Sequence, residues 1–175
     1  MRAEDLKKKI REIPDFPKPG INFYDLSTLF RDAEAFGVAV GKMVERYRGV
    51  AVDAVAGIEA RGLILASAMA HQLGTGLILV RKAGKLPGDT IGESYSLEYG
   101  ESCLEVHKDA LEPGQRVVII DDLLATGGTA GATGRLMRKL GGIVDSFAFL
   151  VELEALHGRR QLESENVFTL IKYES

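Results

Sequence analysis

VVIIDDLLATGGTAGATG, residues Val117–Gly134, is the stretch on which the reading of this chain turns. Four apolar residues, all β-branched, predict a buried strand. Two acids and a short spacer lead to ATGGT, and a helix is predicted from there through Leu140, closed by Gly141-Gly142. Ala125, Thr126, Gly127, Gly128 and Thr129 are small or hydroxylated, so the backbone can approach an anion closely. Their N–H groups can converge as a nest, and the following helix presents its positive end. Thr126 and Thr129 add hydroxyl donors, and a phosphate monoester suits the set.

Asp121 and Asp122 are the other half of the motif. Successive strand residues point to opposite faces, so both acids serve one ligand only if the strand ends at them and the chain turns. Carboxylates beside a phosphate nest repel it unless they meet donors of their own. Vicinal ribose hydroxyls are one such partner and a magnesium ion is another. A plainer reading is a polar strand end before a Gly-rich turn. Neither GxGxxG nor GxxxxGK[ST] occurs in the chain.

Outward from this segment, strands and helices alternate. Upstream, AVDAVAGI (Ala51–Ile58) reads as a buried strand, EARG as a turn, LILASAMAHQL as a helix and GLILVR (Gly76–Arg81) as a second buried strand. The polar loop KAGKLPGDTIGE follows, then SYSLEY and SCLEVH around Gly100, a hairpin signal. Downstream, IVDSFAFLV and VFTLIKY are further strands. Near the start, Leu6, Ile10 and Ile13 predict one face of a short helix stopped by PDFPKPG (Pro14–Gly20). Asp32 reads as the N-cap of a helix whose stripe is Phe36, Val40, Met43, Val44 and Tyr47. The pattern predicts an α/β fold, a mostly parallel sheet flanked by helices on both faces, with the hairpin inserted into it. Ligands in such sheets lie beyond the carboxyl ends of the strands, so the loops after Ile58, Arg81 and Asp121 should line one crevice.

The 175 residues fit a single domain. A net charge of −3 argues against a nucleic-acid reader, and the run Lys7-Lys8-Lys9 with Arg11 reads as a solvated helix face. A single cysteine, Cys103, excludes an intrachain disulfide and a thiolate zinc site. His71, His107 and His157 lack metal-ligand spacing. No apolar run approaches the roughly 20 residues of a membrane span, and the N-terminus has no signal-peptide core, so the expected compartment is the cytoplasm and no membrane partner is expected.

Hydrophobic strand, DD, spacer and TGGT together resemble the phosphoribosyl-pyrophosphate signature of the type I phosphoribosyltransferases. DFPKPGINFYDLS, GIEARG, VRKAGKLPG, SYSLEYGE and LEPGQRVVIIDDLLATGGT are similar to the adenine-using branch of that family, over nearly the whole chain. The resemblance implies one domain over residues 1–175, with a helix and hood in 1–32 and a core in 33–175 that carries a flap, 82–107. Asp121, Asp122 and Ala125–Thr129 would hold the ribose and its 5′-phosphate. Glu59, Ala60 and Arg61 would hold pyrophosphate, with a cis peptide in that loop, helped by the cations Arg81, Lys82 and Lys85. Each of these also reads, alone, as an ordinary turn or a solvated basic loop.

On the flap, the resemblance implies catalytic roles for Glu98 and Tyr99. Glu98 would carry a purine proton or balance a cationic sugar, and Tyr99 would shield the site. Asn22, Phe23 and Tyr24 would border the base; several relatives carry arginine where this chain has Tyr24. Magnesium is the implied cofactor, held mainly by substrate and water. A homodimer is the implied assembly, with no nucleic acid bound. Competing readings are the same transfer to xanthine, hypoxanthine or orotate, and a regulator that senses the sugar phosphate. KAGKLPG and LEYGE favour adenine, and no reader domain is evident.

Overall fold

The computed structural model describes residues 2–97, 100–162 and 166–174. Among them a seven-stranded sheet forms the centre. In chain order its strands are β3 (Ala54–Ile58), β4 (Gly76–Lys82), β5 (Thr90–Leu97), β6 (Gly100–His107), β7 (Arg116–Leu124), β8 (Ile143–Leu153) and β9 (Val167–Tyr173). They lie side by side as β5-β6-β4-β3-β7-β8-β9. The five strands from β4 to β9 run parallel, and β6 and β5 add to the β4 edge antiparallel. This is the mostly parallel sheet with an inserted hairpin that the alternating pattern predicts.

Each sheet face has its own core, because period-two side chains feed opposite sides. Val55, Val118, Ile120 and Ala148 face α3 (Ala33–Glu45) and α4 (Arg61–Leu73). Ala56, Ile58, Val117, Ile119, Phe147 and Phe149 face α5 (Gly128–Lys139), which supplies Ala132, Leu136 and Met137. Asp32 caps α3 as expected, its carboxylate accepting from the Ala35 N–H at 3.0 Å.

Three expectations need correction. The N-terminal helix α1 spans only Ala3–Lys7. Leu6 and Ile10 are buried, but Ile13 belongs to β1 (Arg11–Ile13), which pairs antiparallel with β2 (Phe23–Asp25). The hydrophobic spacing cannot distinguish a helix from a turn followed by a strand over so few residues. Second, β4 is buried on one face only: Ile78 and Val80 are covered, whereas Leu77 and Leu79 are 38% and 41% exposed, beside Ile64 of α4 at 45%. Third, β7 does not end at the acids but stays paired with β8 as far as Leu124.

Candidate active site

The loops after β3, β4 and β7 converge as the topology requires. A crevice of about 340 Å³ is lined by Glu59, Ala60, Arg61, Lys82, Tyr95, Ser102, Leu104, Asp121, Asp122 and Thr129. Beside it, a hollow of about 80 Å³ is lined by Asp121 and residues 123–130. The two share Asp121 and Thr129, so they adjoin.

The smaller hollow is the Gly-rich loop. Gly127 occupies the left-handed region at φ +85° and stands at the N-cap of α5. A Cβ there would lie 2.2 Å from the Gly158 carbonyl oxygen, so no other residue fits without moving backbone. Gly127 is thus fixed by a neighbour as well as by its dihedral angle. That neighbour belongs to the 3-10 turn Gly158–Gln161. Arg159 anchors this turn by a two-pronged ion pair to Glu152 at the end of β8, both contacts at 2.7 Å. Thr169 of β9 donates to the same carboxylate at 2.9 Å, and together these hold the Glu152 carboxyl below its ordinary range. This buttress was not legible in the sequence.

The acids occupy the crevice floor for a different reason from the one the strand pattern suggests. Val118, Ile120 and Leu123 all face the α3–α4 core, while Leu124 faces the α5 core. Strict alternation would put Leu123 opposite Ile120, so the pleat slips across Asp121 and Asp122. Both carboxyls therefore line the crevice inside a continuing strand. Asp121 accepts from the Asp122 N–H at 2.8 Å. Burial, then the neighbouring Asp122 charge, pushes its carboxyl well above the usual range.

Arg61 opens the first turn of α4 rather than lying in a free loop. Its Nε sits 2.7 Å from Asp122 Oδ2, although that buried oxygen receives no well-directed hydrogen bond. Gly62 lets the helix approach so closely: a Cβ there would meet Asp121 Oδ1 at 2.6 Å. The Glu59–Ala60 peptide is cis, as the resemblance implies. Glu59 itself acts as a bracket. Its Oε2 accepts from Arg81 Nε and from the Lys82 N–H, each at 3.0 Å, and Arg81 also donates to the Lys85 carbonyl. Lys82 lines the crevice; Lys85 is exposed and Arg81 is turned to Glu59.

The hood residues divide. The Phe23 ring lies 5.8 Å from the Arg61 guanidinium and packs edge-on against Phe16, which puts it at the crevice mouth. Asn22 is exposed and donates to Glu12 at 2.9 Å. Tyr24 faces the other way along β2: it is buried, with its ring 4.0 Å from that of Tyr173 in the α3–α4 core. Glu98 and Tyr99 lie outside the described residues. Tyr95 is a site residue the sequence reasoning missed. Its only signal was an aromatic inside the hairpin run SYSLEY.

No group of three or more His, Cys, Asp or Glu among the described residues is placed to hold a metal alone. The oxygen donors present are those a magnesium ion uses when substrate and water fill most of its shell: one or two carboxylates, here Asp121 and Asp122.

Comparison with known proteins gives a consistent result. Residues 31–171 match the phosphoribosyl transferase domain family. The chain is 55% identical to the adenine phosphoribosyltransferase of Desulfitobacterium hafniense, over 99% of this chain and 100% of that one. Among solved structures it is similar to the adenine phosphoribosyltransferase of Thermoanaerobacter pseudethanolicus, with TM-score 0.94, 49% identity and coverage of 98% and 99% of the two chains. It is also similar to the adenine phosphoribosyl transferase of Trypanosoma brucei in complex with AMP, pyrophosphate and ribose-5-phosphate. There the TM-score is 0.89 and the identity 25%, over 97% of this chain and 79% of that one.

Proposed function

This chain belongs to the phosphoribosyl transferase family, and from that premise we propose that it is an enzyme moving the 5-phosphoribosyl group of 5-phosphoribosyl-1-pyrophosphate to adenine, giving AMP and pyrophosphate. The observation that carries the reading is the adjacency of the two hollows. A Gly-rich loop suited to an anion shares Asp121 and Thr129 with a crevice that is also lined by Asp122, Arg61 and Lys82.

In this reading the 5′-phosphate takes the nest of Ala125–Thr129 at the positive end of α5. The ribose hydroxyls donate to Asp121 and Asp122. The diphosphate faces Arg61 and Lys82, whose fixed charges stabilise the negative charge that grows on it as the C1–O bond breaks. Arg81 shapes the loop through Glu59, and Lys85 adds long-range charge. The purine enters past Phe23, with Asn22 at the rim, and its N9 attacks the sugar carbon from the face opposite the leaving group. Tyr24 contributes through its backbone and its packing, which suits a base read by main-chain groups. Positioning two substrates and balancing charge account for the catalysis without a covalent intermediate.

Magnesium, carried in with the diphosphate, would neutralise part of its charge, with Asp121 and Asp122 as the protein's nearest oxygens. Glu98 and Tyr99, between β5 and β6 in sequence, would close over the crevice and keep water from the activated sugar. Glu98 would hold a purine proton or face the cationic sugar. The chain would act in the cytoplasm in purine salvage; among the described residues no helix is long and apolar enough to cross a membrane. The apolar strip of Ile64, Leu77 and Leu79 on the open face of β4 is suited to a second copy of the chain.

The deciding experiment incubates the protein with phosphoribosyl pyrophosphate, magnesium and each common base in turn, and separates the nucleotides. AMP formed from adenine, with little product from hypoxanthine, xanthine or orotate, is the expected outcome. Absence of AMP would refute the reading. In the same assay Glu98→Gln should lower turnover more than it weakens substrate binding, and wild-type turnover would remove Glu98 from the chemistry.

A further inference from the structure

Tyr95 joins the hairpin to the phosphate cradle. Its hydroxyl accepts from Thr129 Oγ1 at 3.3 Å, and its ring edge lies 3.4 Å from the point where a Cβ on Gly128 would stand. The residue is thus on β5 of the hairpin, while both partners are in the first turn of α5. The contact has independent support two residues earlier on the same face of β5. Glu93 pairs with Arg135 at 2.6 Å and also with Lys139, both farther along α5. Those cations hold the Glu93 carboxyl below its ordinary range, Lys139 contributing most. One face of β5 therefore runs along α5, with an ion cluster at one end and the Tyr95–Thr129 pair at the cradle.

We propose that Tyr95 is a positioning residue for the sugar phosphate, acting through Thr129. The inference rests on the cradle holding the 5′-phosphate. A hydroxyl has one proton to donate and lone pairs to accept with. When Thr129 donates to Tyr95 its proton is unavailable to an anion. Once a phosphate oxygen enters the nest, the Thr129 O–H turns to it and the Tyr95 O–H donates to Thr129 Oγ1 in return. The reversal needs only two hydroxyl rotations. It leaves Thr129 as acceptor from one side and donor on the other, which polarises its hydroxyl toward the anion. It also ties the hairpin stem to an occupied cradle, so that sugar-phosphate binding and stem position become one event.

The test is a double-mutant cycle on Tyr95→Phe and Thr129→Ala, read as KM for phosphoribosyl pyrophosphate and kcat in AMP formation and as Kd for ribose 5-phosphate. Tyr95→Phe keeps the ring and removes only the hydroxyl. It should raise both KM and Kd by about three- to tenfold, the span of one hydrogen bond, with kcat changed less than about twofold. KM for adenine should not move. In the Thr129→Ala background the same change should have no further effect, because the partner is already gone. Tyr95→Phe with wild-type KM and Kd, or losses that simply multiply in the double variant, would overturn the inference while leaving the proposed function standing. Failure of the wild-type protein to make AMP would strike the function itself.

Discussion

Arg61 Nε lies 2.7 Å from Oδ2 of Asp122, whose side chain is 7% exposed. Two crevice-lining residues of opposite charge, from the first turn of α4 and from β7, thus neutralise each other. Removing one partner of such a pair leaves a buried charge uncompensated, which costs more than the pair contributes. In the proposed reading, substrate would exchange this ion pair for contacts of its own to each residue.

Among the described residues the neighbouring Asp121 has no comparable ion pair. Its carboxyl titrates well above the usual range because burial and the Asp122 charge both disfavour ionisation. An acid whose folded pKa is raised binds protons more readily folded than unfolded, so its ionisation destabilises the fold as pH rises from the unfolded pKa through the folded one. Asp121→Asn should therefore raise the melting temperature at neutral pH, by about 2–4 °C for each kcal/mol recovered. The gain should shrink as pH falls toward the ordinary carboxylate range, where the wild-type acid is neutral in both states. Thermal melts from pH 4 to pH 8 without ligand measure it; a difference independent of pH would contradict the assignment.

Gly127 tests the cradle geometry. An alanine there adds a left-handed backbone penalty to a clash with the Gly158 carbonyl 2.2 Å away. Gly127→Ala should destabilise the protein by about 2–4 kcal/mol. It should also weaken ribose 5-phosphate binding, since the loop or the Gly158 turn must move. Urea denaturation and calorimetry with ribose 5-phosphate read the two effects. An alanine variant of wild-type stability and affinity would mean that the loop has more room than its backbone contacts indicate.

The exposed strip on β4 predicts assembly. Leu79→Asp places a charge among Leu77 and Ile64, where a second copy would have to desolvate it. Sedimentation velocity should show a dimer for the wild type and a monomer, or a dimer weakened by at least tenfold, for the variant. A wild-type monomer at micromolar concentration would remove the homodimer from the reading.

The sequence by itself determined more of the sugar-phosphate side than of the base side. The alternation of strands and helices, the helix after ATGGT, the hairpin and the Asp32 cap were legible because local pattern and propensity decide them. The Gly-rich turn into α5 was legible too, since small residues in consecutive positions mark it. The N-terminal hood was not. Leu6, Ile10 and Ile13 at helical spacing fit one helix, and equally a short helix and turn followed by a strand; only pairing of β1 with β2 placed Ile13 in a strand and turned Tyr24 into the core. Glu59 and Arg81 read as two ligands until their side chains were seen bonded to each other.

Tertiary structure alone decided the rest of the site. The slip of the pleat that brings Asp121 and Asp122 to one crevice is invisible in a strand whose pattern is otherwise period-two. Gly158 against Gly127, Glu152 with Arg159, and Tyr95 over Thr129 join residues 7 to 34 positions apart. Such contacts follow from which elements the sheet order makes neighbours, and hydrophobic periodicity carries no information about side-chain partners across that gap. The pattern of Val117–Gly134 is local and could be read directly; how firmly each of its residues is held depends on the elements packed around it.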